Sequence, residues 1–253
     1  MLERYIRERS SEKKILLMTH IVIGYPSLEA SMEIVETMVD AGVDLMELQI
    51  PFSEPIADGP VILKANQQAL AKGVTVAQCL DFGKTVADRF SIPFLYMTYY
   101  NILFKYGVER FAGHMQAAGL RGAIVPDLPP EEADGYLDAM ASNQLSPIFI
   151  YSPTTSTERM GTIAGVADGF VYCVARKGVT GDQTDFSQQI DQYLDRCRKA
   201  TSLPLALGFG VKDRSDIEFL KGKADIAVIG TQALRIVEEE GIPALSGFLN
   251  GLR

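Results

Sequence analysis

Eight times along this chain a short, continuously apolar run gives way within a few residues to a helical pattern. The runs are residues 15–23, 43–50, 93–97, 123–125, 147–151, 170–174, 204–207 and 226–229. None alternates polar with apolar, so each predicts a strand buried on both faces, the habit of parallel sheets covered by helices. Helices are predicted over 27–41, 60–72, 76–90, 108–118, 131–142, a stretch ending near 164, 186–200, 213–221, 233–239 and 243–252. Ser27 and Asp213 supply caps, and Gly42 and Gly119 supply stops. Residues 1–10 read as a charged helix ahead of the first strand.

Eight strand-then-helix units in 253 residues predict an α/β fold, a (β/α)8 TIM barrel. The expectation is a single TIM-barrel domain over residues 1–253, with an extra N-terminal helix and a short extra helix after the eighth strand. A doubly wound open sheet is the competing architecture. Against it, no GxGxxG follows the first strand.

The densest chemistry lies in ELQIPFSEPIADGP, residues 47–60. Glu47 interrupts an apolar strand near its end, an expensive place for a charge without a partner or a task. Asp58 stands in Ala-Asp-Gly-Pro, where a tight turn is expected. The plain alternative is a buried structural glutamate and a turn-forming aspartate. Tyr99, Asn101, Asp127 and Thr180 also follow strand ends, the face on which barrel enzymes build their sites. Three late loops carry glycine: Gly178 and Gly181 after the sixth strand, Gly208 and Gly210 after the seventh, and Gly230-Thr231 after the eighth. Glycine lets backbone approach a ligand, and a helix N-terminus offers free N–H groups to an anion. A phosphate site across these loops is expected.

Charge narrows the partners. With 24 basic and 32 acidic residues the net charge is −8, which lacks the basic face a nucleic-acid binder needs but leaves a single backbone-held phosphate possible. Cys79, Cys173 and Cys197 fit neither a metal site nor a disulfide framework, so a reducing, cytoplasmic setting is expected, with no metal. No signal peptide and no membrane-spanning run is expected.

Taken in order, ELQIPFSEPIADGP, LYMTYYNILFKYG, IVPDLPPEE, GVTG, GFGV and the final IGT resemble the tryptophan synthase alpha chain family, over nearly the whole chain. The central stretch is specific; GVTG or GFG alone is not. The resemblance implies a lyase that cleaves indole-3-glycerol phosphate to indole and glyceraldehyde 3-phosphate without a cofactor. It also implies a pyridoxal-phosphate beta chain as partner, in an α2β2 heterotetramer. Glu47 and Asp58 correspond to the family's catalytic carboxylates. Tyr172 and Tyr99 correspond to pocket residues, and Thr180 with Arg176 belongs to a closing loop. Gly181, Gly210, Gly230 and Thr231 correspond to the phosphate cradle, Thr231 standing where serine is common. Four positions depart from the family pattern: Gln49 replaces a glycine, Glu54 an aspartate, Leu63 a glutamine, and His20 an apolar pocket residue. His20 reads as a packed or hydrogen-bonded histidine.

Two other readings stay open at this point. Another phosphate-handling barrel enzyme, such as a Schiff-base aldolase, needs a pocket lysine, and Lys177 and Lys212 are the nearest. A non-catalytic activating subunit would not need Glu47 and Asp58.

Overall fold

A computed structural model describes residues 1–175 and 183–253, those of 183–187 by backbone alone. Eight parallel strands close into a barrel in chain order. They are β1 (Leu16–Val22), β2 (Leu45–Gln49), β3 (Phe94–Met97), β4 (Gly122–Ile124), β5 (Ser146–Tyr151), β6 (Val171–Val174), β7 (Leu205–Gly208) and β8 (Ile226–Ile229). The helices are α1 (Leu2–Glu12), α2 (Leu28–Asp40), α3 (Pro60–Ala71), α4 (Val76–Arg89), α5 (Tyr100–Tyr106), α6 (Val108–Ala117), α7 (Asp134–Ser142), α8 (Thr157–Ala164), α9 (Gln183–Ala200), α10 (Arg214–Leu220), α11 (Thr231–Glu239) and α12 (Ile242–Gly251). The fold is the expected TIM barrel. The expected caps form: Ser27 Oγ accepts from Ala30 N at 3.1 Å, and Asp213 accepts from Ser215 N and Asp216 N.

Strand alternation sorts the side chains. Positions facing outward pack under the helices in one large apolar layer. Positions facing inward, among them Leu16, Met18, Leu45, Leu95, Ile124, Ile148, Phe170 and Val228, fill the barrel. The N-terminal mouth is plugged by α1, whose Leu2 and Ile6 join that inner cluster. Asp44 anchors the plug. Its buried carboxylate accepts from Leu17 N and pairs with Lys13 at 2.5 Å, and its carbonyl accepts from Tyr5 at 3.0 Å. Burying an Ile or Leu contributes about 1.5–3 kcal/mol, so two such side chains make α1 part of the core rather than a loose extension.

Two elements differ from expectation. The segment after β3, where no helix is expected, forms the short helix α5. Asp127, in the loop after β4, accepts from Tyr100 N at 2.9 Å and so caps α5 from a distant part of the chain. The helix expected over 131–142 is broken into a 3-10 turn, Pro130–Glu132, and α7. Other boundaries shift by a residue or more at helix and strand ends.

Candidate active site

The same alternation that fills the barrel sets its upper layer. On β1 the inward series Leu16, Met18 continues to His20; on β2, Leu45 continues to Glu47 and Gln49. The β1–β2 register places His20 beside Glu47. A polar layer therefore caps the apolar plug at the C-terminal end of the barrel, where loops can cover it.

Glu47 is 3% exposed. Its Oε1 lies 3.0 Å from Nδ1 of His20 and accepts from the Tyr172 hydroxyl, across the barrel on β6, at 3.5 Å. Burial works against a protonated His20, but Glu47, with Asp58 and Gln49 adding to it, outweighs burial and the imidazole ends above its ordinary value of 6.5. Burial, then the nearby Glu47, drives the Tyr172 phenol well above its usual range, so it stays a neutral donor.

Asp58 arrives by the loop between β2 and α3. Three residues hold that loop. Asn66, fully buried on α3, accepts from Phe52 N at 2.9 Å and donates to Ile62 O at 2.8 Å. Tyr99, at the end of β3, accepts from Ala57 N at 3.1 Å, and Phe52 stacks on its ring at 5.0 Å. Gln49 donates from Nε2 to Asp58 Oδ2 at 2.6 Å. Burial raises the Asp58 carboxyl from its ordinary value, while the Gln49 hydrogen bond and the His20 charge pull the other way.

Glycine shapes the opposite wall. A side-chain carbon at Gly208 would lie 3.1 Å from the Tyr172 oxygen, so the absence of one leaves room for that phenol. Gly210 holds φ +89, a conformation in which L side chains are strained. A side-chain carbon at Gly230 would lie 3.4 Å from His20 Cβ, and Gly230 caps α11, whose first turn opens at Thr231 with no side-chain cap on its N–H groups. That is an anion-binding geometry.

Of the residues expected from sequence, Glu47 and Tyr172 lie within β2 and β6, and Asp58, Tyr99, Gly210, Gly230 and Thr231 lie in the segments that follow β2, β3, β7 and β8. Thr180, Gly181 and Arg176 lie outside the described residues. Reading the sequence gave no role in the site to Asn66, to Gln49 as a partner of Asp58, or to His20 as the ion-pair partner of Glu47. A polar residue on an alternate position of the same strand as Glu47 was the available signal for Gln49. Among the described residues, no group of three or more His, Cys, Asp or Glu could hold a metal ion, and no helix is long and apolar enough to cross a membrane.

The fold and this pair of acids, Glu47 buried and Asp58 half-buried, beside an uncapped helix N-terminus define a (β/α)8-barrel enzyme suited to acid–base work on an anionic substrate. Comparison with known proteins narrows the class. The family model described as tryptophan synthase alpha chain matches residues 6–245. The tryptophan synthase alpha chain of Syntrophotalea carbinolica is 66% identical over 253 residues, covering 100% of both chains. That of Desulforapulum autotrophicum is 64% identical over 252 residues, again covering 100% of both. A crystal structure of tryptophan synthase from M. tuberculosis in its aminoacrylate-bound form superposes with a TM-score of 0.90 at 29% identity, covering 99% of this chain and 97% of that one. Tryptophan synthase subunit alpha from Legionella pneumophila gives 0.89 at 30% identity, covering 99% and 96%. The chain belongs to the tryptophan synthase alpha chain family. It is a lyase of tryptophan biosynthesis, cleaving indole-3-glycerol phosphate to indole and glyceraldehyde 3-phosphate.

Proposed function

We propose that Glu47 and Asp58 divide the chemistry of this cleavage. Glu47 delivers a proton to C3 of the indole ring, which turns the ring into a leaving group. Glu47 then takes the proton of the glycerol hydroxyl next to the bond that breaks. The O–H pair becomes the aldehyde C=O, the carbon–carbon pair returns to the ring, and the proton count closes on Glu47. One group can serve both steps because the proton it gives in the first it regains in the second. Asp58 accepts the indole N–H and stabilises the positive charge that C3 protonation creates. Tyr172 and Tyr99 flank the two acids. Thr180, Gly181, Gly210, Gly230 and Thr231 hold the phosphate, mainly through backbone N–H groups. The observation that carries this reading is Glu47 itself: a buried carboxylate at the C-terminal end of β2, held on one oxygen by His20 and Tyr172.

Family membership implies a beta-chain partner. We read the assembly as an α2β2 heterotetramer with a pyridoxal-phosphate beta chain, the alpha chain itself using no cofactor, in the cytoplasm. Residues 1–253 are read as one barrel domain. Ile56 in the loop before α3 and Phe104 on α5 are exposed large apolar side chains at the catalytic mouth, which suits a docking partner there. A partner that orders the loop would fix Asp58, and substrate would tighten the partner's grip by the same factor. The test is indole release from indole-3-glycerol phosphate, with and without a beta chain from the same source. The expected result is turnover that rises with beta chain. No indole under either condition would refute the reading; tight binding with a flat rate would refute loop ordering.

A further inference from the structure

His20 Nε2 and Gln49 Oε1 are both buried and have no hydrogen-bond partner. One can donate and the other accepts. They extend from neighbouring strands at inward positions of the same polar layer. Gln49 stands two residues beyond Glu47, the register partner of His20, so the two buried and unpaired atoms lie diagonally across adjacent strands. The far end of each is engaged with a carboxylate. His20 Nδ1 meets Glu47 at 3.0 Å, and Gln49 Nε2 donates to Asp58 at 2.6 Å.

We propose that His20 and Gln49 are positioning residues that join the two carboxylates into one hydrogen-bonded chain, Glu47–His20–Gln49–Asp58, closed by His20 Nε2–H donating to Gln49 Oε1 directly or through one water. The inference rests on the reading of Glu47 and Asp58 as the working acids. The polarity of the chain is consistent in one direction. Asp58 accepts, so the amide nitrogen of Gln49 must face it and the amide oxygen must face His20. That oxygen needs a donor at Nε2, and the Glu47 carboxylate needs a donor at Nδ1. A ring that donates from both nitrogens is an imidazolium, placed between two carboxylates. The ionisable groups acting on His20 are Glu47 from β2 and Asp58 from the following loop. Tyr172 from β6 reaches it only through Glu47, and Tyr99 from β3 only through Asp58. From the β8 side Gly230 lies beside His20 and brings no ionisable group. An amide cannot pass a proton along, so the chain orients the acids rather than relaying between them. It fixes Glu47 by one oxygen and holds Asp58 under the loop.

The chain has two histidines, His20 and His114. Nitrogen-15 imidazole spectra of the full-length protein, with His114→Gln for assignment, therefore report on His20 alone. The expected result is a doubly protonated His20 at pH 6.5, with a titration that moves down in both Glu47→Gln and Gln49→Gly. A neutral ring at pH 6.5, or a titration unmoved by Gln49→Gly, would overturn the chain. This arm needs no substitution at His20, so it decides the matter even if His20→Phe folds poorly. It is also independent of turnover: should Glu47→Gln remain active while the spectra behave as expected, the reading of the acids fails and the linkage stands. The kinetic arm compares His20→Phe, Gln49→Gly and the double variant, each saturated with beta chain. Each single change is expected to lower kcat about tenfold with KM within about threefold, and the double variant to lose no more than the worse single, because both break one chain. His20→Asn, which keeps one donor toward Glu47, should recover part of the loss. Multiplying losses in the double variant, or an effect carried by KM, would overturn the proposal.

Discussion

Asn66→Ala is the sharpest test of how the loop bearing Asp58 is held. The native amide spans the loop base: Oδ1 accepts from Phe52 N at 2.9 Å and Nδ2 donates to Ile62 O at 2.8 Å. Ile62 lies in α3, where helix bonding already engages its carbonyl, so losing that contact costs little. Phe52 N is different. With no other hydrogen bond to it among the described residues, its N–H would be left unpaired at a part-buried position, a cost of about 1–3 kcal/mol. The whole of that cost falls on the arrangement that delivers Asp58, because the next tether, Ala57 N to Tyr99, lies further along the loop. Charged against the ordered loop, it lowers kcat/KM roughly 5- to 150-fold. Asn66→Asp keeps the acceptor for Phe52 N but sets a second carboxylate near the Gln49–Asp58 pair; it should keep the loop and still impair turnover. The assay is steady-state indole release with saturating beta chain, alongside urea unfolding. If Asn66→Ala holds kcat/KM within twofold while unfolding shows the expected loss of stability, Asn66 supports the fold and not the delivery of Asp58, and the reasoning fails.

Two further outcomes are expected. Gly210→Val forces a branched side chain into a backbone at φ +89 beside the anion-binding turn, so KM for the phosphate substrate should rise roughly 5- to 150-fold, the equivalent of about 1–3 kcal/mol of strain; an unchanged KM refutes the cradle. His20 binds its proton more tightly folded than unfolded, above the ordinary 6.5, so its pairing stabilises fully below pH 6.5 and that stabilisation is lost as pH rises through the folded value. Tm should therefore fall more steeply above pH 6.5 in the native chain than in His20→Phe, and parallel curves would refute the pairing.

What sequence made legible here was whatever repeats locally. Apolar runs without alternation marked every strand, and side-chain caps such as Ser27 and Asp213 marked helix starts. Glu47 stood out because a charge broke an apolar strand. The rest depended on partners far along the chain. α5 has no cap of its own; its first N–H is taken by Asp127. Gln49 read only as a departure from a glycine, yet it is buried and grips Asp58, an arrangement that exists only once the loop folds back. His20 read as a packed histidine, and only the β1–β2 register reveals which residue it packs against.

Glu47→Gln tests the central claim most directly. The amide keeps the size of the side chain and an oxygen for His20 and Tyr172 to address, while removing its ability to carry a proton to and from substrate. With beta chain present, indole release should fall by roughly 10²–10⁴-fold, with phosphate-ligand binding essentially unchanged and a cooperative unfolding transition retained. Near-normal turnover in a folded Glu47→Gln chain would contradict the account.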